Sequence, residues 1–266
     1  MELDGCNALI TGASAGIGLE FARQLASRAT TLILIARRRQ RLEELRLQLA
    51  AGNKNLRVEI RPTDVSKHAE IDELLRWLEA EKLIVDLLIN NAGLGDVGSF
   101  ATSSPERNEE MMLVNMVALT RLTRALLPPM IARKRGAILN VSSSAGFLPI
   151  PGFAIYAASK AYVTSFSEAI FSELRGTGVS VCALCPGPVH TEFNDVAQRP
   201  GEARERSPEF VYVPLEQVVR DALAAVEADR PLVIPGFLMK VGMFLVRLTP
   251  MSIMRRASRF SAKPAR

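Results

Sequence analysis

Asn7-Ala8-Leu9-Ile10-Thr11-Gly12-Ala13-Ser14-Ala15-Gly16-Ile17-Gly18 decides how the rest of the chain is read. Asn7–Ile10 is an apolar run of strand length, and Thr11–Gly18 is a glycine-rich turn that leads into a helical pattern. Glycine lets a backbone turn sharply and approach a ligand, and a helix N-terminus offers free N–H groups to an anion. A bare glycine triplet is weak evidence. One that leaves the first strand and opens a helix predicts a pyrophosphate-binding loop. The same residues satisfy a rival pattern: Gly12-Ala13-Ser14-Ala15-Gly16 is a G-x-S-x-G nucleophile elbow, with only His68 and His190 available as bases. Its position at residue 12 leaves no room for the strand and oxyanion loop that precede such an elbow, so a Ser14 hydrolase is the weaker reading.

Outward from that loop, strand-like runs alternate with helical ones. The strands are expected at Asn7–Ile10, Thr31–Ile35, Leu56–Ile60, Val85–Ile89, Ala137–Val141, Val179–Cys185 and Leu232–Ile234. Leu42, Leu45 and Leu49 keep one helical stripe; Ile71, Leu74, Leu75 and Leu78 keep another, for which Ser66 is the expected cap. Ser104-Pro105 predicts a third helix, with proline at its first position. Strands with little polar alternation, separated by helices, form a parallel sheet covered on both faces. The expectation is one Rossmann-type, doubly wound α/β domain of about seven parallel strands over residues 1–266.

With 48% hydrophobic and 23% charged residues, the composition is that of a soluble globular protein. The net charge of +5 can attract an anionic cofactor without implying nucleic-acid binding. Met1–Asp4 lacks the basic start and apolar segment of a signal peptide. Cys182-Ala183-Leu184-Cys185 matches C-x-x-C, but residues three apart on a strand face opposite ways, so no redox or zinc pair is expected. A reducing, cytoplasmic setting follows. His68 reads as solvated and His190 as a bonded loop residue; neither has a metal-ligand partner at useful spacing.

The unusual residues fall just after strands, where ligands bind in such sheets. The second strand ends at Ala36-Arg37-Arg38-Arg39, where a chain selecting NAD carries an acid for the ribose 2′-hydroxyl. Small volume and positive charge suit a 2′-phosphate, so NADP(H) is expected over NAD(H), with Arg37 the first choice of contact and Arg38 the second. Solvation of the next helix is the plainer role for the same arginines. Asp64 can accept from an adenine amino group or simply enter a turn. Asn90-Asn91-Ala92-Gly93 permits close backbone approach, and Asn115 interrupts the apolar stretch from Met111 to Val117. Further on, Tyr156 and Lys160 stand four apart on one helical face, so an ammonium can sit near a phenol and move its pKa toward neutrality. Ser143, beyond the fifth strand, carries a hydroxyl able to polarise a substrate oxygen.

Together these residues resemble the short-chain dehydrogenase/reductase family, from the Thr11–Gly18 loop to Thr191. The matching set is T-G-x-x-x-G-I-G, Asp64, N-N-A-G at Asn90–Gly93, Asn115, Ser143, Y-x-x-x-K at Tyr156–Lys160, and Pro186-Gly187. The resemblance implies Tyr156 as acid/base, Ser143 as holder of the substrate oxygen and Lys160 as the group that lowers the tyrosine pKa and binds the nicotinamide ribose. It implies that Asn115 supports a water-linked proton route through Lys160. Gly12, Ser14, Ile17 and Gly18 would line the cofactor, with Asn91 beside the adenosine ribose and Ala92 and Gly93 in the same stretch. Pro186, Gly187, Val189 and Thr191 would cover the nicotinamide. Ser142 and Ser144 flank Ser143 and compete for its role.

The family's substrate lid would fall at about residues 192–214, a polar segment with Arg199, Arg204 and Arg206. From residue 235 to 266 an apolar run (Phe237, Leu238, Met239, Val241, Met243, Phe244, Leu245, Val246) is followed by Arg255, Arg256, Arg259 and Lys263. Lys240, Arg247 and Pro250 interrupt it, so it is no membrane span. Three placements suit it: a cap on an apolar pocket, packing against a partner subunit, or peripheral contact with an anionic membrane. The expected activity is NADP(H)-dependent interconversion of a secondary alcohol and a ketone on an apolar small molecule, by a homodimer or homotetramer. A non-catalytic NADP(H)-binding regulator of the same fold is the alternative, and the presence of Asn115, Ser143, Tyr156 and Lys160 together argues against it.

Overall fold

A computed structural model describes residues 1–199, 208–250 and 252–256. Seven parallel strands, β1 (Asn7–Thr11), β2 (Thr31–Ala36), β3 (Arg57–Pro62), β4 (Leu87–Asn90), β5 (Gly136–Val141), β6 (Val179–Leu184) and β7 (Leu232–Val233), lie in the order 3-2-1-4-5-6-7. The winding reverses between β1 and β4, so the loops after these two strands open a crevice at the carboxyl edge.

Period-two alternation divides the core. Ala8 and Ile10 of β1, with Leu32 and Leu34 of β2, pack under α1 (Gly16–Leu25), α2 (Arg39–Gly52) and α8 (Leu215–Glu227). Leu9, Ile33 and Ile35 face the other way, toward α3 (His68–Ala80), α4 (Pro105–Met112), α5 (Leu119–Arg133) and α6 (Ala154–Glu173). Strands buried on both faces need no polar alternation, which is why they read as continuous apolar runs. The expected stripes Leu42, Leu45, Leu49 and Ile71, Leu74, Leu78 are the buried faces of α2 and α3.

Ser104 caps α4 by accepting from Arg107 N (3.1 Å), with Pro105 in the first turn. Ser66 does not cap α3. Its hydroxyl donates to Asp64 Oδ1 (2.7 Å) in the preceding turn, and the helix starts at His68 instead. Between α4 and α5 the helix widens to a π-type turn, Leu113–Ala118, that carries Asn115. Cys182 belongs to the α1/α8 side of the core, whereas Cys185 lies against Thr164 of α6, so the two thiols diverge as expected. Among the described residues no cluster of His, Cys, Asp or Glu can hold a metal ion, and no helix is long and apolar enough to cross a membrane.

Candidate active site

A cleft of about 1200 Å³ runs along the carboxyl edge of the sheet, over the loops that follow β1, β2, β3, β4, β5 and β6. Its floor at one end is the glycine loop. Gly12 adopts φ +67°, and a side chain there would strike Asn91 Nδ2 and the Ala92 backbone. Gly18 presses α1 against Gly12 O and the Asn91 amide, so a Cβ at this position has no room. Asn91 ties the loops together, donating to Thr11 O (2.9 Å) and Gly12 O (3.3 Å), while Thr11 Oγ1 accepts from the backbone of Asn91 and Ala92. Helix α1 begins at Gly16 with no side-chain cap, so its first N–H groups face the cleft without a competing acceptor. This cradle fits a dinucleotide pyrophosphate.

The arginines after β2 part company. Arg37 reaches Glu110 Oε1 (2.9 Å), away from the glycine loop. Arg38 folds over it, with Nε and Nη2 at 3.2 and 3.1 Å from Ser14 Oγ. Arg38 also pairs with Glu192, as does Arg41, and these two guanidiniums hold the Glu192 carboxyl below the usual range. Asp64 lines the same end; its Oδ1 accepts from Ser66 N and Oγ, and its backbone N–H donates to Glu70.

At the other end the four residues singled out for chemistry come together. Tyr156 and Lys160 are buried on α6, with the ammonium 5.6 Å from the centroid of the phenol ring. Of the three neighbouring serines, Ser143 is the one that pulls the Tyr156 phenol pKa down, and its Oγ accepts from Ala145 N (3.1 Å). Ser142 is turned inward to Lys160 O (2.7 Å) and Thr164, and Ser144 donates its backbone N–H to Pro186 O. Lys160 Nζ donates to Val141 O at 2.8 Å. Asn115 accepts from Leu94 N (2.8 Å) and donates to Leu94 O (2.9 Å) and to Ser159 Oγ (3.0 Å). The π-type turn thus aims a fully bonded amide at the loop after β4, and Gly93 lies where both Asn115 Oδ1 and Lys160 Nζ converge.

The charge state differs from the sequence expectation. Burial pushes the Tyr156 phenol up to about 12, with the Ser143 hydrogen bond pulling it back, and burial pushes the Lys160 ammonium down to about 8. At Tyr156 the loss of water on burial is the larger effect, so the phenol stays above its ordinary value.

Several residues escaped the sequence reading. Phe153 stacks on Tyr156 (centroids 4.3 Å apart) and Phe193 tilts against it (5.3 Å), walling the phenol on two sides. Leu94, Val97, Leu148 and Ile150 continue that wall. Ser159, three residues after Tyr156, holds Asn115; its place inside the Y-x-x-x-K interval was the available signal. Tyr212 was missed as well: His190, expected as a bonded loop residue, stacks on it at 4.0 Å, and His190 Nε2 meets Glu209 Oε1 at 2.9 Å beside the cleft. The segment expected to be the lid contains α7 (Phe193–Ala197), and its Arg199 pairs with Asp96; Arg204 and Arg206 lie outside the described residues, as do Arg259 and Lys263.

A doubly wound parallel sheet with a dinucleotide cradle at its switch point and a Tyr–Lys–Ser group beside it defines a nicotinamide-dependent oxidoreductase. The chain belongs to the short chain dehydrogenase family, whose model matches residues 6–200. It is 38% identical over 190 residues to the NADP-dependent 3-hydroxy acid dehydrogenase YdfG of Escherichia coli K12, covering 71% of this chain and 75% of that one. Among solved structures it resembles a short-chain dehydrogenase from Sphingobium yanoikuyae in complex with NADPH (29% identity, TM-score 0.79, 98% of each chain covered). It is equally similar in shape to a family member from Burkholderia phymatum in complex with NAD (27% identity, TM-score 0.79, 100% of this chain and 98% of that one).

Proposed function

We propose that the protein is an NADP(H)-preferring dehydrogenase that interconverts a secondary alcohol and a ketone on an apolar small molecule. The observation that carries this reading is the convergence of Ser143, Tyr156 and Lys160 at the apolar end of a cleft whose other end is the glycine cradle, with Asn115 buried behind them against Ser159. The bound nicotinamide supplies or accepts the hydride. Gly12, Ser14, Ile17, Gly18 and the α1 N-terminus hold its phosphates, Asp64 and Asn91–Gly93 its adenosine side, and Pro186, Gly187, Val189 and Thr191 its nicotinamide side.

In the reducing direction Ser143 donates a hydrogen bond to the carbonyl oxygen, and Tyr156 gives that oxygen a proton as negative charge develops on it. A phenol with a pKa near 12 is fully protonated at neutral pH, so the acid is always loaded. An alkoxide is a much stronger base than a phenolate, so the transfer runs downhill. The charged Lys160 stabilises the phenolate left behind, and Asn115, beside it at Gly93, supports the return of a proton from water.

Arg38, on Ser14, and Arg37 one residue earlier favour a 2′-phosphate; neither position offers a carboxylate for a free 2′-hydroxyl. Phe153, Phe193, Leu148 and Ile150 favour an apolar substrate. We further assign the enzyme to a homodimer or homotetramer in the cytoplasm. The test of the chemistry is Tyr156→Phe, assayed on a panel of neutral ketones by NADPH absorbance. NADPH binding is expected to persist while turnover falls by about 10²–10⁴-fold, the usual worth of a general acid. Undiminished turnover would reject Tyr156 as the proton donor.

A further inference from the structure

Among the described residues, one face of helix α9 (Phe237–Leu248) has no partner. Met239 and Met243 point inward, Met239 against Gly187, and Arg247 lies over the Phe147 ring (4.8 Å) at the turn that follows Ser143. Phe244, Phe237, Leu248, Val241, Leu245 and Leu238 fill the outer face; Phe237, Leu248 and Phe244 are 79%, 66% and 62% exposed. At 3.6 residues per turn these six side chains form an unbroken apolar sector about 120° wide. Exposed Lys240 lines one edge of it beside Arg247, which pairs with Glu168 (3.5 Å), and exposed Ile253, Arg255 and Arg256 follow in the chain.

Charge is segregated to the same region. Of 33 basic and 28 acidic residues, eight basic and no acidic ones fall between Arg230 and Arg266, so this stretch carries +8 and the preceding chain −3. We propose that the outer face of α9 docks on an anionic lipid surface, its apolar sector entering the acyl boundary and its cations meeting the headgroups. A bilayer is the partner in which negative charge overlies an apolar layer, and that is the complement of a greasy stripe with a basic edge.

A second copy of the chain fits the face less well. Six side chains on a twelve-residue helix fall short of the about 20–30 residues that each partner brings to a standard interface. A two-fold pairing through this patch would also bring two strongly basic segments face to face. The inference does not depend on the chemistry proposed above, because α9 contributes none of the acid/base groups.

The experiment is flotation of the full chain with phosphatidylcholine vesicles and with vesicles containing phosphatidylserine, at low and high salt. Anionic vesicles are expected to retain at least tenfold more protein than neutral ones, with the excess lost at high salt, since each cation near such a surface contributes about a fivefold gain. The double variant Phe244→Glu/Leu245→Glu should lose this binding and keep wild-type NADPH affinity and thermal midpoint. Failure of the wild type to float with anionic vesicles overturns the proposal, as does undiminished binding by the double variant. A fall in oligomer mass on light scattering, without vesicle binding by the wild type, would assign the face to a second copy instead.

Discussion

Replacing Lys160 with Met probes the burial of the ammonium directly, without any coenzyme present. In the folded chain this group titrates near 8, against 10.5 for an ordinary lysine, because burial penalises its charge. Between those two values the unfolded chain binds more protons than the native one, so native stability rises with pH across that window. At about 1.36 kcal/mol per unit, the charged lysine costs roughly 3 kcal/mol at pH 7 and roughly 2 at pH 9. The stability difference between Lys160→Met and the wild type should therefore move by about 1 kcal/mol toward the wild type from pH 7 to pH 9. Tyr156, raised from 10.0 to about 12, changes protonation only above this range, and there its effect has the opposite sign: stability is lost as pH rises past 10. The assay is urea unfolding of both proteins at pH 7, 8 and 9. A difference that stays flat to within about 0.3 kcal/mol, near the resolution of such measurements, would refute a buried, easily neutralised lysine.

Arg38→Ala should weaken NADPH binding by about 10–100-fold, the worth of a charge-assisted contact, and leave NADH nearly unchanged; Arg37→Ala should cost less, since Arg37 is turned to Glu110. Equal losses for the two coenzymes by titration would remove the 2′-phosphate role from Arg38. Gly18→Ala forces α1 off Gly12 and the Asn91 amide, at about 1–3 kcal/mol, so the thermal midpoint should fall by about 5 °C and coenzyme affinity with it; an unchanged midpoint would mean the cradle tolerates a Cβ.

The parallel architecture, the strand positions to within one or two residues and the glycine cradle were legible in the sequence. Each depends on local pattern: apolar runs of strand length, stripes at helical spacing, and glycine where the backbone must turn or approach. The meeting of Ser143, Tyr156, Lys160 and Asn115 was foreseen through a family resemblance, since spacing along the chain cannot bring residue 115 to residue 159. It takes a π-type turn between α4 and α5 to aim that amide at Leu94 and Ser159. Which of two adjacent arginines covers Ser14, which of three serines faces the phenol, and how far burial overrides a neighbouring cation were settled by tertiary structure. Side-chain direction and desolvation depend on what packs around a residue, and for Arg38, Ser143 and Lys160 those neighbours come from distant parts of the chain.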